Sequence, residues 1–386
     1  MGVPLSYNLR NLVERKVTTL MTALGIGLTV AVLVSSLALA QGLERLFAGS
    51  GRPLHLMVFR QGADSELISS VSEATYLTIR AMPGIATGAG GAPLVSLEAI
   101  SIVNLPSVDS KEGVNVTVRG VTQVALEIRP LEMTSGKMFE SGLRQIIVGE
   151  SIARRFPDAQ PGKQIRFGRG LWEVVGIFRA GESTANSEII GDLNQLRGDF
   201  EISGGANILR IRATDERAMT DLAAAIKADQ RLNSNAKSEI EYYAAETRSG
   251  ALLKTMGYAV AIIMAIGSAF AATNTMYATV ARRTKEIGTL RALGFSRAAV
   301  LRSFLFESIV LAFLGGVLGV LMALPINGVT SGVGSSNFSE VAFQFSVGTW
   351  PILAGLAFSV VIGAVGGLLP AWSASRKNII TAMREI

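Results

Sequence analysis

The chain of 386 residues has no cysteine and a single histidine, His55. Without thiols it cannot form a disulfide scaffold, a thiolate zinc site, an iron–sulfur cluster or a cysteine nucleophile. One imidazole rules out a multi-histidine metal centre and makes a histidine-dependent relay improbable. Charge is also scarce. Only 17% of residues are Asp, Glu, Lys or Arg, and mean hydropathy is +0.40. An ordinary soluble domain carries roughly 25% charged residues.

The deficit is local. No charge occurs in 17–43, 255–281, 308–339 or 341–375. A bilayer core of ~30 Å needs about 20 apolar residues in a helix. Each run is long enough and rich in Leu, Ile, Val, Ala and Gly. Transmembrane helices are therefore expected at 19–43, 254–281, 303–327 and 349–375. The first run has a rival reading as a cleaved signal peptide ending near Ala38-Leu39-Ala40. Against that, the run exceeds the roughly 7–15 residues of a signal core, and the segment before it is long and amphipathic.

The Lys and Arg residues mark a side. Arg10, Arg15 and Lys16 precede the first run. Arg282, Arg283, Lys285, Arg291, Arg297 and Arg302 lie between the second and third. Arg376, Lys377 and Arg384 follow the fourth. These twelve cations face only Glu14, Glu286 and Glu385. The bias of basic residues toward the cytoplasm then puts both termini inside. The expected organisation is a cytoplasmic leader at 1–18, an extracytoplasmic (periplasmic) domain at 44–253, a cytoplasmic segment at 282–302, a short outer loop at 328–348 and a cytoplasmic tail at 376–386. The localisation this implies is the bacterial inner (plasma) membrane. The outer domain is nearly balanced in charge, so the net +6 sits at the cytoplasmic edge, where anionic lipid attracts it. It is not a nucleic-acid signature.

The outer segment alternates as strands do at Gly113–Val121, Gln164–Phe167, Trp172–Phe178 and Asn207–Ala213. Gly168-Arg169-Gly170 reads as a hairpin turn. Ile146–Phe156 reads as a strand entering a short helix. Asp215–Ala228 reads as a helix capped by Thr214. Residues 83–93 are Gly-rich and aperiodic, hence a loop. The fold class expected is an α-helical membrane protein with four transmembrane helices and a large α+β extracytoplasmic domain between helices one and two.

Catalytic apparatus is missing from the sequence. There is no G-x-x-x-x-G-K-[ST] phosphate loop, no H-E-x-x-H and no G-x-S-x-G. No catalytic residue, metal ligand or cofactor on this chain is expected, and His55 reads as an ordinary packed or surface histidine. Glu307 is the one ionisable residue placed inside a run. Intramembrane charge is a functional suspect by default, yet Glu307 lies near the basic edge, so an ion pair with Arg302 or Arg291 is the favoured reading over a proton relay. Small residues at four-residue spacing (Ala23 and Gly27, Ala261 and Ala265, Gly315 and Gly319, Gly363 and Gly367) would let helices approach closely.

Between the second and third runs the sequence reads ARRTKEIGTLRALGFSRAAVLRSFLFE. A first helix is expected from Arg282 to Leu293 with Gly294 as its C-cap. Ser296 then caps a second helix that continues into the third run. Ile287, Leu290 and Leu293 form an apolar stripe. Such a helix can lie on the membrane surface, form a solvated loop, or dock in a groove on a soluble partner.

This segment resembles the coupling segment of the FtsX/MacB-like ABC transporter permeases, R-x-x-E-I-G-x-x-R-A-x-G. Arg283, Glu286, Ile287, Gly288, Arg291, Ala292 and Gly294 match it in place. The end of the chain resembles the family's G-x-x-P-A-x-x-A-x-R tail at Gly367, Pro370, Ala371, Ala374 and Arg376. The start NLRNLVERKVTTLMTALGIGLTVAVLVS and the outer stretch PLEMTSGKMFESGLRQIIVGESIARRFPDAQPGKQIRFGRGLWEVVGIFRAG also resemble the family, in the same order. The resemblance implies a permease subunit for efflux or envelope transport of a drug, peptide, lipoprotein or glycolipid. It implies a separate ABC ATPase subunit in two copies, with ATP and Mg bound there, and a second permease chain, identical or a paralogue. A periplasmic adaptor, lipoprotein or hydrolase can complete the assembly. In the namesake macrolide exporter the ATPase domain precedes the first span on the same chain. Here the first span starts near residue 19, so the ATPase is expected on another polypeptide. Contact with it is expected through Ile287, Leu290, Arg291 and Leu293, with motion carried outward by the first two helices. Two other readings stand beside this one: a signalling scaffold that activates a cell-wall hydrolase, as in the cell-division members, and an anchored outer-domain adaptor with no ATPase.

Overall fold

The computed structural model describes residues 16–108, 112–129, 131–334 and 339–377, with the side chains of residue 18 and of 247–254 excepted. Most of the expected leader and tail, including Arg10, Arg15 and Arg384, lies outside the described residues. The chain divides into two units. One comprises Met1–Gly42, Gly250–Val329 and Gln344–Ile386. The other comprises Leu43–Ser249 and Thr330–Phe343.

Helix α1 runs over Lys16–Ser50. Its polar side chains do not break it. Thr29 Oγ1 and Ser36 Oγ donate to the carbonyls of Gly25 (3.1 Å) and Val32 (2.9 Å), four residues back. That satisfies the hydroxyls within the helix in apolar surroundings, and Thr29 Oγ1 also lies 2.5 Å from Ser268 Oγ. Then follow β1 (His55–Arg60), β2 (Val71–Ser72), α2 (Glu73–Arg80), β3 (Val95–Leu105), β4 (Val114–Val121), α3 (Val124–Ile128), β5 (Glu132–Gly136), β6 (Gln145–Gly149), α4 (Glu150–Arg155), β7 (Gln164–Phe167) and β8 (Gly170–Arg179). A 3-10 turn at Thr184–Ser187 leads into β9 (Glu188–Asp192), α5 (Leu193–Asp199), β10 (Gly205–Ala206), β11 (Ile208–Arg212), α6 (Glu216–Ala228) and β12 (Ser234–Ser238).

All of these strands but β2 and β10 form one large sheet in the order β12-β1-β11-β3-β4-β9-β6-β8-β5, with β7 paired to β8; β2 and β10 pair with each other as a separate ribbon. Pairs β4–β9 and β6–β8 are parallel; the others are antiparallel. Gly168, at φ +57°, makes the β7–β8 turn that the sequence signals. One core gathers Val116, Ile146, Val148, Trp172, Val174 and Ile189; a second gathers Leu56, Val58, Leu97, Leu209, Ile211 and Ile226. Trp172 is fully buried, stacks on Phe167 at 5.3 Å and donates its indole N–H to Asp199 (3.0 Å). The cap of α6 differs from expectation. Asp215, not Thr214, takes the N-cap position, and its carboxylate accepts from the Ala218 amide at 2.9 Å. Thr214 Oγ1 instead donates to the Asp215 carboxylate.

Helix α7 runs over Glu239–Arg282, α8 over Thr284–Ala292 and α9 over Arg297–Ala323. Strands β13 (Thr330–Gly334) and β14 (Glu340–Gln344) pair with each other, and α10 spans Thr349–Ser375. Where a short loop is expected, the chain thus folds into a two-stranded element. Its 330–343 portion belongs to the sheet-bearing unit. Glu340 pairs with Arg155 at 2.6 Å, and the Ala342 amide donates to Ser187 Oγ at 2.9 Å.

Among the described residues four helices are long and apolar enough to cross a membrane: Thr19–Ser50, Thr255–Arg282, Arg297–Ile326 and Thr349–Ser375. Within the helical unit Ile26, Val30, Val34, Ala272, Ala312, Val320 and Ile362 share one core. Several of the small residues singled out in the sequence sit where helices touch. A Cβ on Gly315 would come within 2.8 Å of the Ala23 carbonyl, and one on Gly319 would overlap the Gly27 carbonyl and Val30. A Cβ on Gly363 would meet that of Ala312 at 2.5 Å, and one on Gly367 would overlap Ser308. Helices α1 and α10 thus both press against α9 through missing side chains. Dispersion at such short range, rather than a hydrophobic drive, is what holds helices together in lipid.

Candidate functional site: the helix between the second and third spans

The segment after Arg282 is built by two local signals. Gly294 at φ +93° ends α8, which it can do because it has no Cβ. Leu293 occupies the C-cap, Gly294 follows it, and the amides of Gly294 and Phe295 return to the carbonyls of Arg291 and Leu290. Ser296 then starts α9, its hydroxyl accepting from the Ala299 amide at 3.2 Å. The two helices are joined by the four residues Leu293 to Ser296, with a glycine and a serine setting the turn.

Arg283 fixes this short helix in place. It is 3% exposed. Its Nε donates to Glu286 Oε2 at 2.9 Å, its Nη1 donates to Glu307 Oε2 at 2.9 Å, and its guanidinium lies 5.1 Å from the Phe304 ring centroid. The partner expected for Glu307 is therefore corrected. Arg302 stands five positions earlier on the same helix, which places it on another face, and its Nε donates to the Ala298 carbonyl. Arg291 donates to the Phe295 carbonyl at 3.2 Å and helps close the turn.

The site residues divide into two faces. Ile287 is 1% exposed and packs with Met276, Val280, Val300, Phe304, Ala371 and Ala374. It was expected on the contact stripe; instead it faces inward, because a helix of nine residues needs one apolar anchor to stay docked. Gly288 is buried beside it. Lys285, Glu286, Ala292, Leu293 and Gly294 are exposed, and Leu290 and Arg291 are half-buried. Leu293 is an apolar side chain 71% exposed. Two of the tail residues, Ala371 and Ala374, belong to the same anchoring core. Gly367, Pro370, Ala371 and Ala374 are all buried on α10, and Arg376 stacks on Trp372 at 4.2 Å. Among the described residues no cluster of His, Cys, Asp and Glu suited to a metal occurs.

Residues 19–229 match the MacB-like periplasmic core domain family, and residues 258–379 match the FtsX-like permease C-terminal family. An uncharacterised ABC transporter permease of Bacillus subtilis, YknZ, is 25% identical over 409 residues, covering 97% of each chain. The macrolide export ATP-binding/permease protein MacB of Shewanella oneidensis is 25% identical over 419 residues, covering 95% of this chain and 58% of the relative. That of Agrobacterium fabrum is 28% identical over 364 residues, covering 83% and 54%. Against the MacB relatives, then, the chain spans little more than half their length. Among solved structures, the periplasmic region of MacB from Actinobacillus actinomycetemcomitans aligns at 12% identity with a TM-score of 0.38, over 50% of this chain and 91% of that one. The extracellular domain of YknZ aligns at 16% identity with a TM-score of 0.37, over 47% and 99%.

Proposed function

The chain belongs to the ABC transporter permeases with a MacB-like periplasmic core domain and an FtsX-like C-terminal region, and from that premise we propose that it passes ATP-driven motion from a separate ATPase subunit to its outer domain. ABC permeases work with an ATPase. Here the ATPase pair would bind ATP and Mg and grip the outer side of α8, namely the exposed Glu286 and Leu293 with the half-buried Leu290 and Arg291. The Lys and Arg bias puts that face and both termini in the cytoplasm, with the sheet domain on the far side of the inner membrane.

The observation that carries this reading is the division of α8 into a pinned face and an exposed one. Arg283 and Ile287 bind it to the membrane helices, while Leu293 and Glu286 are exposed. A push on the exposed face would be delivered to α9 through the Arg283–Glu307 pair. Two permease chains, identical or paralogous, would complete the membrane portion. The work would be done on cargo outside the membrane, as efflux or envelope transport, so the spans need no polar path. The lack of other charged side chains in the apolar runs fits this. The test is ATP hydrolysis by the reconstituted complex. Substituting the exposed Glu286 or the half-buried Arg291 should uncouple hydrolysis from transport while the chain stays folded. Full transport by such variants would remove α8 from the mechanism.

A further inference from the structure

A second anchor lies in the sheet-bearing unit, at the root of α7. Glu239 is the first residue of that helix, and its side chain is 1% exposed. It accepts hydrogen bonds from Arg210 Nη1, from the Arg52 amide (3.3 Å), and its Oε2 lies 3.0 Å from His55 Nδ1. Arg210 is completely buried on β11 and also donates through Nε to Glu98 on β3 (3.0 Å). Glu98 in turn accepts from Arg119 on β4 (2.9 Å). Arg119 holds Glu66 (2.8 Å) and grips Glu188 on β9 with two bonds of 2.8 Å. The buried chain Glu239–Arg210–Glu98–Arg119–Glu188 therefore crosses the strands β11, β3, β4 and β9.

Its far end meets the other helix. Glu188 directly follows the Thr184–Ser187 turn. The Thr184 amide donates to the hydroxyl of Ser50, the last residue of α1, at 2.9 Å. The same turn's Ser187 accepts from Ala342 of β14. The first residue of α7 is thus one end of the ionic chain, and the last residue of α1 and strand β14 both bond to the turn that leads into its other end, Glu188.

Stability alone does not call for such a network. Buried ion pairs are often replaceable by apolar residues of similar volume without loss, whereas removing one partner is costly. What charge adds is direction. Each guanidinium offers five donors in a rigid planar fork, so the carboxylates it holds have one arrangement, while apolar faces can slide. We propose that Glu239 and Arg210 are positioning residues that lock the root of α7 to the sheet, so that displacement of the long helices moves the outer domain as one body. This rests on the motion-transmitting function proposed above.

The experiment uses the absence of native cysteine. A spin label at Arg217, on the exposed face of α6, paired with one on the outer domain of the second permease chain (the same position if the chains are identical), reports the distance between the two outer domains in the complete permease–ATPase complex, in lipid nanodiscs with and without ATP. A second preparation, spin-diluted, carries labels at Arg217 and Glu241 of one chain and reports whether the root of α7 slips on the sheet. The variants are Glu239→Gln, which keeps the shape, and the double variant Glu239→Gln with Arg210→Met, which leaves no uncompensated guanidinium should the single variant fold poorly. Wild type should show an ATP-dependent shift at Arg217 and a constant Arg217–Glu241 distance. The variants, with ATP hydrolysis retained, should lose at least half of the first shift and show an ATP-dependent second one. A full wild-type shift at Arg217 in the double variant overturns the proposal and leaves the function standing. No ATP-dependent shift in wild type defeats the function itself, and the proposal with it.

Discussion

Arg283 Nη1 lies 2.9 Å from Glu307 Oε2, joining the residue that precedes α8 to the interior of α9. Both side chains are almost fully buried. Glu307→Ala leaves the guanidinium without that carboxylate, and breaking a buried pair by removing one partner costs roughly 3–5 kcal/mol. Thermal unfolding of the detergent-solubilised chain should show a clear loss for Glu307→Ala. The double variant Arg283→Met with Glu307→Leu should recover most of it. Equal losses in single and double variants would show that the pair does not hold the helix.

Glycines in the spans should divide by what they touch. Gly319→Ala on α9 forces a methyl into the Gly27 carbonyl and Val30, and overpacking of this kind costs roughly 1–3 kcal/mol. Gly25→Ala on α1 meets nothing within 4 Å and should be neutral or mildly stabilising. Side-by-side melting curves of the two variants check the contrast.

The outer domain should lose stability in acid. Burial pushes the Glu239 carboxyl up, but Arg210 and the His55 hydrogen bond outweigh that and hold it at about 2, against an ordinary 4.5. Glu188 is likewise held at about 2, burial being outweighed by Arg119 and Arg129. A carboxylate whose folded value is depressed stabilises the fold above its unfolded value and loses that contribution as pH falls toward the folded one. The loss should run between about pH 4.5 and 2. Hydrogen exchange at the β4, β9 and β11 amides, followed from pH 6 to 3, should accelerate beyond the intrinsic pH effect. Glu239→Gln should flatten part of that dependence.

The turn after α8 should resist any side chain. Gly294 sits at φ +93°, and a left-handed conformation costs an L-residue roughly 1–2 kcal/mol. Gly294→Ala should therefore lower the melting temperature modestly, while Gly294→Asn, better suited to positive φ, should cost less.

The membrane half was legible because lipid imposes a rule that composition alone can meet: a long run without charge. The turns at Gly168 and Gly294 and the cap at Ser296 were legible for a similar reason, each being a local constraint. The ionic network was not. Glu66, Glu98, Glu188, Glu239, Arg119 and Arg210 are scattered over the outer segment; in sequence Arg119 and Arg210 resemble the polar members of alternating strands, and nothing marks the four carboxylates. Arg210 stands between Leu209 and Ile211, all three fully buried, a pattern that amphipathic alternation cannot produce. A sheet covered on both faces puts polar positions inside, and only the partner strands reveal which charges compensate. His55 reads in sequence as an ordinary packed or surface histidine; it is packed, and its partner Glu239 lies 184 positions away. Glu307 was recognised as needing a cation, but the nearest in sequence was not the nearest in space. Ile287 was assigned to the contact stripe by spacing, which cannot tell the docked side of a short helix from the open one.

The most direct test of the whole account is affinity purification of the full chain, expressed with its native gene neighbours and gently solubilised, followed by mass spectrometry of the intact complex. Wild type should bring down an ATPase subunit in stoichiometric amount. Leu293→Glu, which places a charge on the exposed face of α8 without touching its anchor, should reduce that recovery at least tenfold with the permease still folded. Undiminished recovery of the ATPase by the variant, or none by wild type, would contradict the assignment of α8 as the contact.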